Sequence, residues 1–438
     1  MCLQWLLLCL LATAVSAPSH APASLVILCS SGYRCSLQPV LLSPLRVTPP
    51  APSRVNITRP VSGNGLPTKG EGGWRSTAYR YLTLPVGVGI SLLAVFQWRS
   101  FKRRLEDEVV EHAKDWQITC YRLIPLRAIS RTVGWFMERE LPEFIRPSLY
   151  SLYAKYYKCN LNEVREPDLK TYARFSDFFC RRLKDGVRPI HPSDPLVSPA
   201  DGKIMQAGPV TCSKEECKEK IKEVKGVDYS LESFIGDPSW ISEKQWGRST
   251  LSRRLLHHES GTRLYNSVIY LNPGDYHRFH SPTDFRVNFR RHFQGELFSV
   301  NPLVARWIPE LFSLNERAMY VGSWKHGFFS MTAVGATNVG SIRVFCDDQL
   351  RTNQPRWPRQ QQRHKDTYLG PTQEGVNVKK GELFGEFRFG STIVLLFEAP
   401  DDFHLQHSVS QNIRVGQPMS VSDPDAPAEV TPAHNHTD

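Results

Sequence analysis

At 438 residues the chain can hold one large domain or two smaller ones plus tails, and its 41% hydrophobic content is sufficient for a sizeable core. A net charge of +11 and a pI near 9.2 favour acidic partners, either nucleic acid or an anionic membrane surface. No zinc-finger spacing or RNA-binding signature accompanies that charge, and an anionic bilayer accounts for it at least as well. The ten cysteines are spread along the chain without a C-x-x-C pair, which argues against a zinc site. Cys212 and Cys217 read as two thiols in a surface segment rich in Lys and Glu.

Residues 1–70 contain no Asp or Glu but carry Arg34, Arg46, Arg54, Arg59 and Lys69 among many Ser and Pro, as mitochondrial transit segments do. The first residues also fit a second reading. Leu3 to Val15 is a short apolar run followed by Val15-Ser16-Ala17, which looks like a secretory signal with its cleavage site, although no Lys or Arg precedes it. Asn56-Ile57-Thr58 would be a glycosylation acceptor on that route. Leu82 to Trp98 is uncharged and mainly apolar, between Arg80 and the cluster Arg99, Lys102, Arg103 and Arg104. As a helix it rises about 26 Å, enough for a hydrocarbon core with Tyr81 and Trp98 at the interfaces, so it reads as a membrane anchor.

Between Arg122 and Cys159, Trp135, Phe136, Phe144, Leu149 and Leu152 mix at near-helical spacing with Arg131, Arg139, Arg146 and Lys155. Such amphipathic helices fit a bilayer surface and equally fit a domain core. From about Leu196 the pattern turns strand-rich, with strands expected over Leu264 to Leu271, Phe285 to Phe289, Ile342 to Phe345 and Thr392 to Phe397. Asp347 to Gly375 is polar, with Gln360-Gln361-Gln362 and several Pro and Arg, and reads as a surface loop. The tail from Asp423 to Asp438 is Pro-, Ala-, Asp- and His-rich and reads as disordered.

The most informative stretch is Gly390-Ser391-Thr392, set immediately before the apolar β-branched run of the last expected strand. Glycine before serine leaves the Gly390 carbonyl open to attack and tolerates a strained turn. The serine hydroxyl is weak alone and needs a base and an orienting carboxylate. Candidates for both occur in Pro199-Ala200-Asp201-Gly202 and in Asp275-Tyr276-His277-Arg278-Phe279-His280. No metal constellation or nucleotide-binding Gly-rich loop stands out.

With these three motifs the chain closely resembles the phosphatidylserine decarboxylases of the membrane-anchored mitochondrial type, from about Arg122 to Val415. Further blocks match the family pattern, among them Phe175-Ser176-Asp177-Phe178-Phe179, Leu297-Phe298-Ser299-Val300-Asn301-Pro302, Asn315-Glu316-Arg317 and His326-Gly327-Phe328-Phe329-Ser330. The resemblance implies that Ser391 attacks the preceding peptide in an N-to-O acyl shift. β-Elimination then frees the upstream chain, and hydrolysis with loss of ammonia leaves a pyruvoyl group, so no added cofactor is needed. By motif position His280 is the maturation base, Asp201 its partner, and His277 the proton donor in decarboxylation. Two fragments, 1–390 (before leader removal) and 391–438, would stay together as a heterodimer acting on phosphatidylserine in an anionic membrane, with no nucleic-acid partner.

The expected architecture is α+β. A leader (1–70) and an anchor (71–104) precede a helical membrane-proximal region (105–195), a strand-rich catalytic domain of antiparallel, barrel-like sheets (196–422) and a tail (423–438). The basic cluster after Trp98 would put the C-terminal side inside by the positive-inside rule. The family instead implies an inner-membrane protein facing the intermembrane space. Two rival classes remain: a serine hydrolase using Asp201, His280 and Ser391, and a catalytically silent scaffold. The hydrolase lacks a G-x-S-x-G elbow, since Ser391 precedes a strand where that elbow follows one. The scaffold predicts loss of the serine or the histidines, and all are present.

Overall fold

A computed structural model describes residues 113–420, apart from 213–218, 222–228, 242–249, 338–340, 355–363, 371–373 and 389. The expected leader, the Leu82 to Trp98 anchor, the tail from Asp423 and Cys217 lie outside the described residues. No helix among the described residues is long and apolar enough to cross a membrane.

The described segment opens with helices α1 (Asp115–Leu123), α2 (Leu126–Met137), α3 (Arg146–Tyr157) and the short α4 (Phe175–Phe179). Strands then follow as β1 (Gly202–Pro209), β2 (Thr211–Cys212), β3 (Glu219–Ile221), β4 (Tyr229–Ser230) and β5 (Thr262–Tyr270). Next come β6 (Arg278–His280), β7 (Phe285–Phe293), β8 (Arg317–Trp324), β9 (Gly327–Val334) and β10 (Ile342–Val344). The last are β11 (His364–Tyr368), β12 (Val376–Val378), β13 (Leu383–Phe387), β14 (Thr392–Pro400) and β15 (Asn412–Ile413). The large sheet runs β11-β7-β8-β9-β14-β5-β1-β15, with β12 also on β7, and all its pairings are antiparallel. Among the described residues it is a sheet with two ends, β11 and β15, and not the barrel-like closure expected.

β14 is buried along nearly its whole length, which is why its sequence is a continuous apolar run without alternation. Its odd-numbered residues Ile393, Leu395 and Phe397 join the main core with Tyr320 and Phe329. A small sheet, β10-β13-β6, supplies Phe279, Val344, Phe384 and Phe387 to the same core. β13 carries Gly385 where a Cβ would meet the Arg343 carbonyl oxygen and the Phe279 ring, each at 2.5 Å. That close approach lets β13 lie between its neighbours directly upstream of Gly390.

One expectation needs correction. The polar segment Asp347 to Gly375 is not all loop, because His364–Tyr368 pairs with β7 as the sheet's end strand. Edge strands are commonly polar, so composition hides them. Arg146, one of the cations between Arg122 and Cys159, donates to the carbonyls of Leu141 (2.8 Å) and Lys170 (2.6 Å).

The helices do pack on the domain. α3 places Tyr150 and Tyr153 against Phe175 and Phe178, with the Tyr150 and Phe178 rings stacked at 4.6 Å. From α2, Arg127 donates to Glu316 (2.8 Å) and to the Gln354 carbonyl (2.7 Å), and Glu316 also takes His292 (3.0 Å) and the Asn353 N–H (2.8 Å). Breaking such a buried pair leaves a bare charge. Arg127→Met should therefore lower unfolding stability by about 3 kcal/mol or more, and adding Glu316→Gln should recover part of it, as read by urea titration. Equal stability of Arg127→Met and the parent would show that the pair does not tie helix to sheet.

Candidate active site

Ser391 enters β14 with its carbonyl accepting the Leu271 N–H at 3.0 Å, which prolongs the β5–β14 ladder by one residue. Its side chain is fully buried and its hydroxyl has no hydrogen-bond partner. Leaving a buried hydroxyl unpaired costs about 1–3 kcal/mol, so such an atom calls for an explanation. The explanation lies next to it. A methyl group placed on Gly390 would sit 3.9 Å from His277 Nε2 and 4.0 Å from the Leu271 carbonyl oxygen, so the imidazole is seated against the Gly390–Ser391 peptide.

His277 is itself fully buried, against the Phe179 ring at 4.1 Å. Its Nδ1 lies 2.9 Å from the Asp275 carbonyl, an acceptor, so Nδ1 holds the proton and Nε2 presents a lone pair. That Nε2 is buried and unpartnered, like the serine oxygen. Burial pulls the His277 pKa down to about 3, so the ring is neutral at ordinary pH. The Phe387 N–H donates to the His277 carbonyl at 2.9 Å, which ties the histidine to the end of β13.

His280 lies on β6 one strand away. Its Nδ1 faces the Gly381 carbonyl (2.9 Å) and its Nε2 the Tyr276 hydroxyl (3.1 Å), so both ring nitrogens are engaged. Burial lowers its pKa and pushes that of Tyr276 up to about 12. The His280 N–H donates to the Pro199 carbonyl (2.8 Å), which sets the histidine beside the turn carrying Asp201. The Asp201 carboxylate, however, takes the Val415 N–H (2.8 Å) and a two-pronged contact from Arg188, with Nη2 at 2.6 Å and Nε at 3.0 Å. Arg188 in turn bonds Glu163 at 2.8 Å. No hydrogen bond joins Asp201 to His280.

The structure thus brings His277 to Gly390, the residue before Ser391, while His280 and Asp201 take other partners. Tyr276 and Arg188 were missed from sequence. Tyr276 sits inside the histidine motif, where a phenol four residues before a histidine was the available signal. Nothing local marks Arg188, whose contact depends on the fold. No group of three or more His, Cys, Asp or Glu side chains among the described residues is placed to hold a metal.

A family model described as phosphatidylserine decarboxylase matches residues 175–420. The chain is 45% identical over 311 residues to the mitochondrial phosphatidylserine decarboxylase proenzyme of Cricetulus griseus, covering 70% of this chain and 74% of that one. The Pongo abelii proenzyme is 46% identical with the same coverage, and the proenzyme 1 of Schizosaccharomyces pombe is 36% identical over 406 residues, 76% and 89% of the two chains. The chain belongs to the phosphatidylserine decarboxylase family. The matched region contains Asp201, His277, His280, Gly390 and Ser391, so the motifs and the geometry fall within one family domain.

The buried histidines make stability pH-dependent, and the sign follows from their lowered pKa values. As pH falls below about 6.5 the unfolded chain takes protons that folded His277 refuses until near pH 3, so stability is present above about 6.5 and is lost through that window. One such site contributes a slope of up to about 1.4 kcal/mol per pH unit, and His280 adds in the same direction. Urea midpoints of His277→Gln should fall less steeply than those of the parent between pH 6.5 and 4.5. Parallel slopes would show that His277 is not neutral in the fold.

Proposed function

We propose that this chain decarboxylates phosphatidylserine to phosphatidylethanolamine, using a pyruvoyl group made from Ser391 by breaking its own backbone after Gly390. The observation that carries this is a pair of buried, unpartnered atoms, Ser391 Oγ and His277 Nε2, the latter set against a glycine whose nearest neighbours leave room at 3.9 Å. A hydroxyl, a neutral imidazole lone pair and an accessible carbonyl are what an N-to-O acyl shift requires. The pyruvoyl carbonyl would condense with the headgroup amine and accept the electrons left by carbon dioxide. Dry surroundings at Ser391 suit that electrophile, because water competes poorly there.

Motif position assigns scission to Asp201 and His280 and the return of a proton during turnover to His277. For that division His280 must turn from its present partners, Tyr276 and the Gly381 carbonyl, to meet Asp201 and Ser391. The seating of His277 against Gly390 favours a second division, in which His277 takes the Ser391 proton and His280 is held as a support. The two differ in one gel. Under the first, His280→Ala accumulates uncut chain while His277→Ala splits but turns over poorly; under the second, His277→Ala is the variant that stays uncut.

The same reading extends to the membrane. Helices α1 to α3 and their connections expose Trp116, Leu123, Trp135, Phe144, Leu152 and Tyr156, with Leu123 and Phe144 about 77% and 80% accessible. Exposed Arg131 and Arg139 lie among them, the latter over the Trp135 ring at 4.3 Å. Large exposed apolar side chains interleaved with cations suit a headgroup layer that is anionic above and apolar below. The relatives are named as mitochondrial. We place this chain at the inner mitochondrial membrane, held by Leu82 to Trp98 and facing the intermembrane space, with the secretory route as the alternative raised by its first residues.

Ser391→Ala should give one uncut chain without decarboxylase activity, whereas the parent yields a small fragment starting at residue 391 whose intact mass shows a pyruvoyl cap. Normal scission in the variant, or a free serine on the parent's fragment, would sink the reading. Arg131→Glu with Arg139→Glu should weaken binding to anionic liposomes several-fold at low salt, each cation near such a surface contributing on the order of 1 kcal/mol, and leave scission intact. Undiminished binding would place the docking surface elsewhere.

A further inference from the structure

Arg181 carries a buried cation that no carboxylate meets. It is 3% accessible, its Nη2 donates to the carbonyls of Gly274 (2.7 Å) and Asp275 (3.3 Å), and its Nε and Nη1 are buried without partners. Other buried arginines differ. Arg290 has Asp347 at 2.8 Å and Arg291 has Asp366 at 2.7 Å, while Arg317 spends all three nitrogens on carbonyl oxygens. A buried guanidinium with unmade hydrogen bonds is costly unless something else supplies the acceptor.

The surroundings point to an anion. Arg181 borders two cavities, of about 250 and about 630 Å³. The larger is also lined by Arg165, Arg182, Arg278, Arg343 and Arg388, against the carboxylates of Glu166, Asp177 and Glu386 only. Glu386 is shared among Arg278 (3.4 Å), Arg343 (3.8 Å) and Arg388 (3.7 Å), so positive charge is in excess. The cleft also lies beside the scission segment. The Asp275 carbonyl that holds His277 Nδ1 is the one that accepts from Arg181, so the guanidinium is one peptide group from the imidazole facing Gly390.

We propose that Arg181 receives the phosphodiester of the lipid headgroup while the headgroup amine meets the carbonyl formed at Ser391; this rests on the decarboxylase reading above. A substrate carboxylate is the weaker candidate. A tight pair there would stabilise the charge that must leave the carboxyl group, raising the barrier, whereas the phosphodiester keeps its charge throughout and gives uniform binding. Arg181 is therefore a binding residue. Its loss raises KM and leaves kcat nearly unchanged.

The test compares substrate with product, because phosphatidylethanolamine keeps the phosphodiester and lacks the carboxylate. In mixed micelles of fixed detergent content, Arg181→Met should raise the KM for phosphatidylserine and the inhibition constant of phosphatidylethanolamine together, by about tenfold or more, with kcat within about twofold. Arg181→Lys, which keeps the charge without the planar fork, should raise both by a smaller factor, and carries the same comparison if the Met variant does not fold. A raised KM with unchanged product inhibition would assign Arg181 to the carboxylate and overturn the proposal. A fall in kcat at constant KM would overturn it too, making Arg181 a positioning residue for His277. A parent that splits but releases no carbon dioxide would instead overturn the decarboxylase reading itself.

Discussion

Everything at the site depends on one strand that cannot move. β14 is paired along Thr392 to Phe397 with β5 on one side and β9 on the other, and its side chains are buried above and below. Ser391 is the residue just before that two-sided ladder, with its carbonyl already bound to Leu271. A loop serine would relax until its hydroxyl found water or a carbonyl. Here the backbone on one side is fixed by the ladder, and on the other side β13 is held between β10 and β6. The chain from Phe387 to Ser391 must cross from the small sheet to the large one in a few residues, and the Phe387 N–H is pinned to His277 on the way. The unpaired hydroxyl and imidazole are thus held against their own preference by sheet pairing, whose total free energy far exceeds the few kcal/mol they cost.

The electrostatics of the region divide along the same line. The side chain found against Gly390 is a histidine that burial keeps unprotonated. Charges stand around it: Arg181 shares the Asp275 carbonyl with His277, Arg188 bridges Asp201 and Glu163, and a group of arginines surrounds Glu386. On the proposed reading, such a rim would attract an anionic headgroup while the neutral imidazole keeps a lone pair for proton transfer. Had Asp201 faced His277, its charge would have favoured the imidazolium and removed that lone pair.

The strand over Thr392 to Pro400 was legible because a continuous β-branched and apolar run has few other ways to be buried, and that over Thr262 to Tyr270 because β-branched and aromatic residues dominate it. Ser391 was legible because a glycine-serine pair at the mouth of such a run combines an open carbonyl with a nucleophile. β11 was not, since an edge strand with one partner can be as polar as a loop. Nor was the choice of partners around the site. Asp201 meets Arg188 within the segment before β1 and Val415 after β15, contacts that leave no local trace. Sequence motifs marked the residue types the chemistry needs; which nitrogen faces which oxygen is set by registers such as Leu383 opposite His280, and these are properties of the assembled sheets.

The helices gain their meaning from the same geometry. α3 exposes Leu152 and Tyr156, yet Tyr153 and Ala154 between them are buried. The Tyr153 hydroxyl donates to the Pro273 carbonyl at 2.8 Å, and the carbonyl of Tyr157 lies where a side chain on Gly274 would need to be. Pro273 and Gly274 begin the turn that ends in Asp275, Tyr276 and His277. One short helix therefore touches the outside with one face and the histidine loop with the other. Displacing α3 by even an ångström would drag the Asp275 carbonyl, and with it the hydrogen bond that fixes the tautomer of His277. A tyrosine-rich helix is suited to that position: its rings bury enough area to stay seated on Phe175 and Phe178, and its hydroxyls reach the loop backbone that an aliphatic side chain would leave unpaired. The exposed face of α3 and the alignment of the histidine turn are in this way two sides of a single packing constraint.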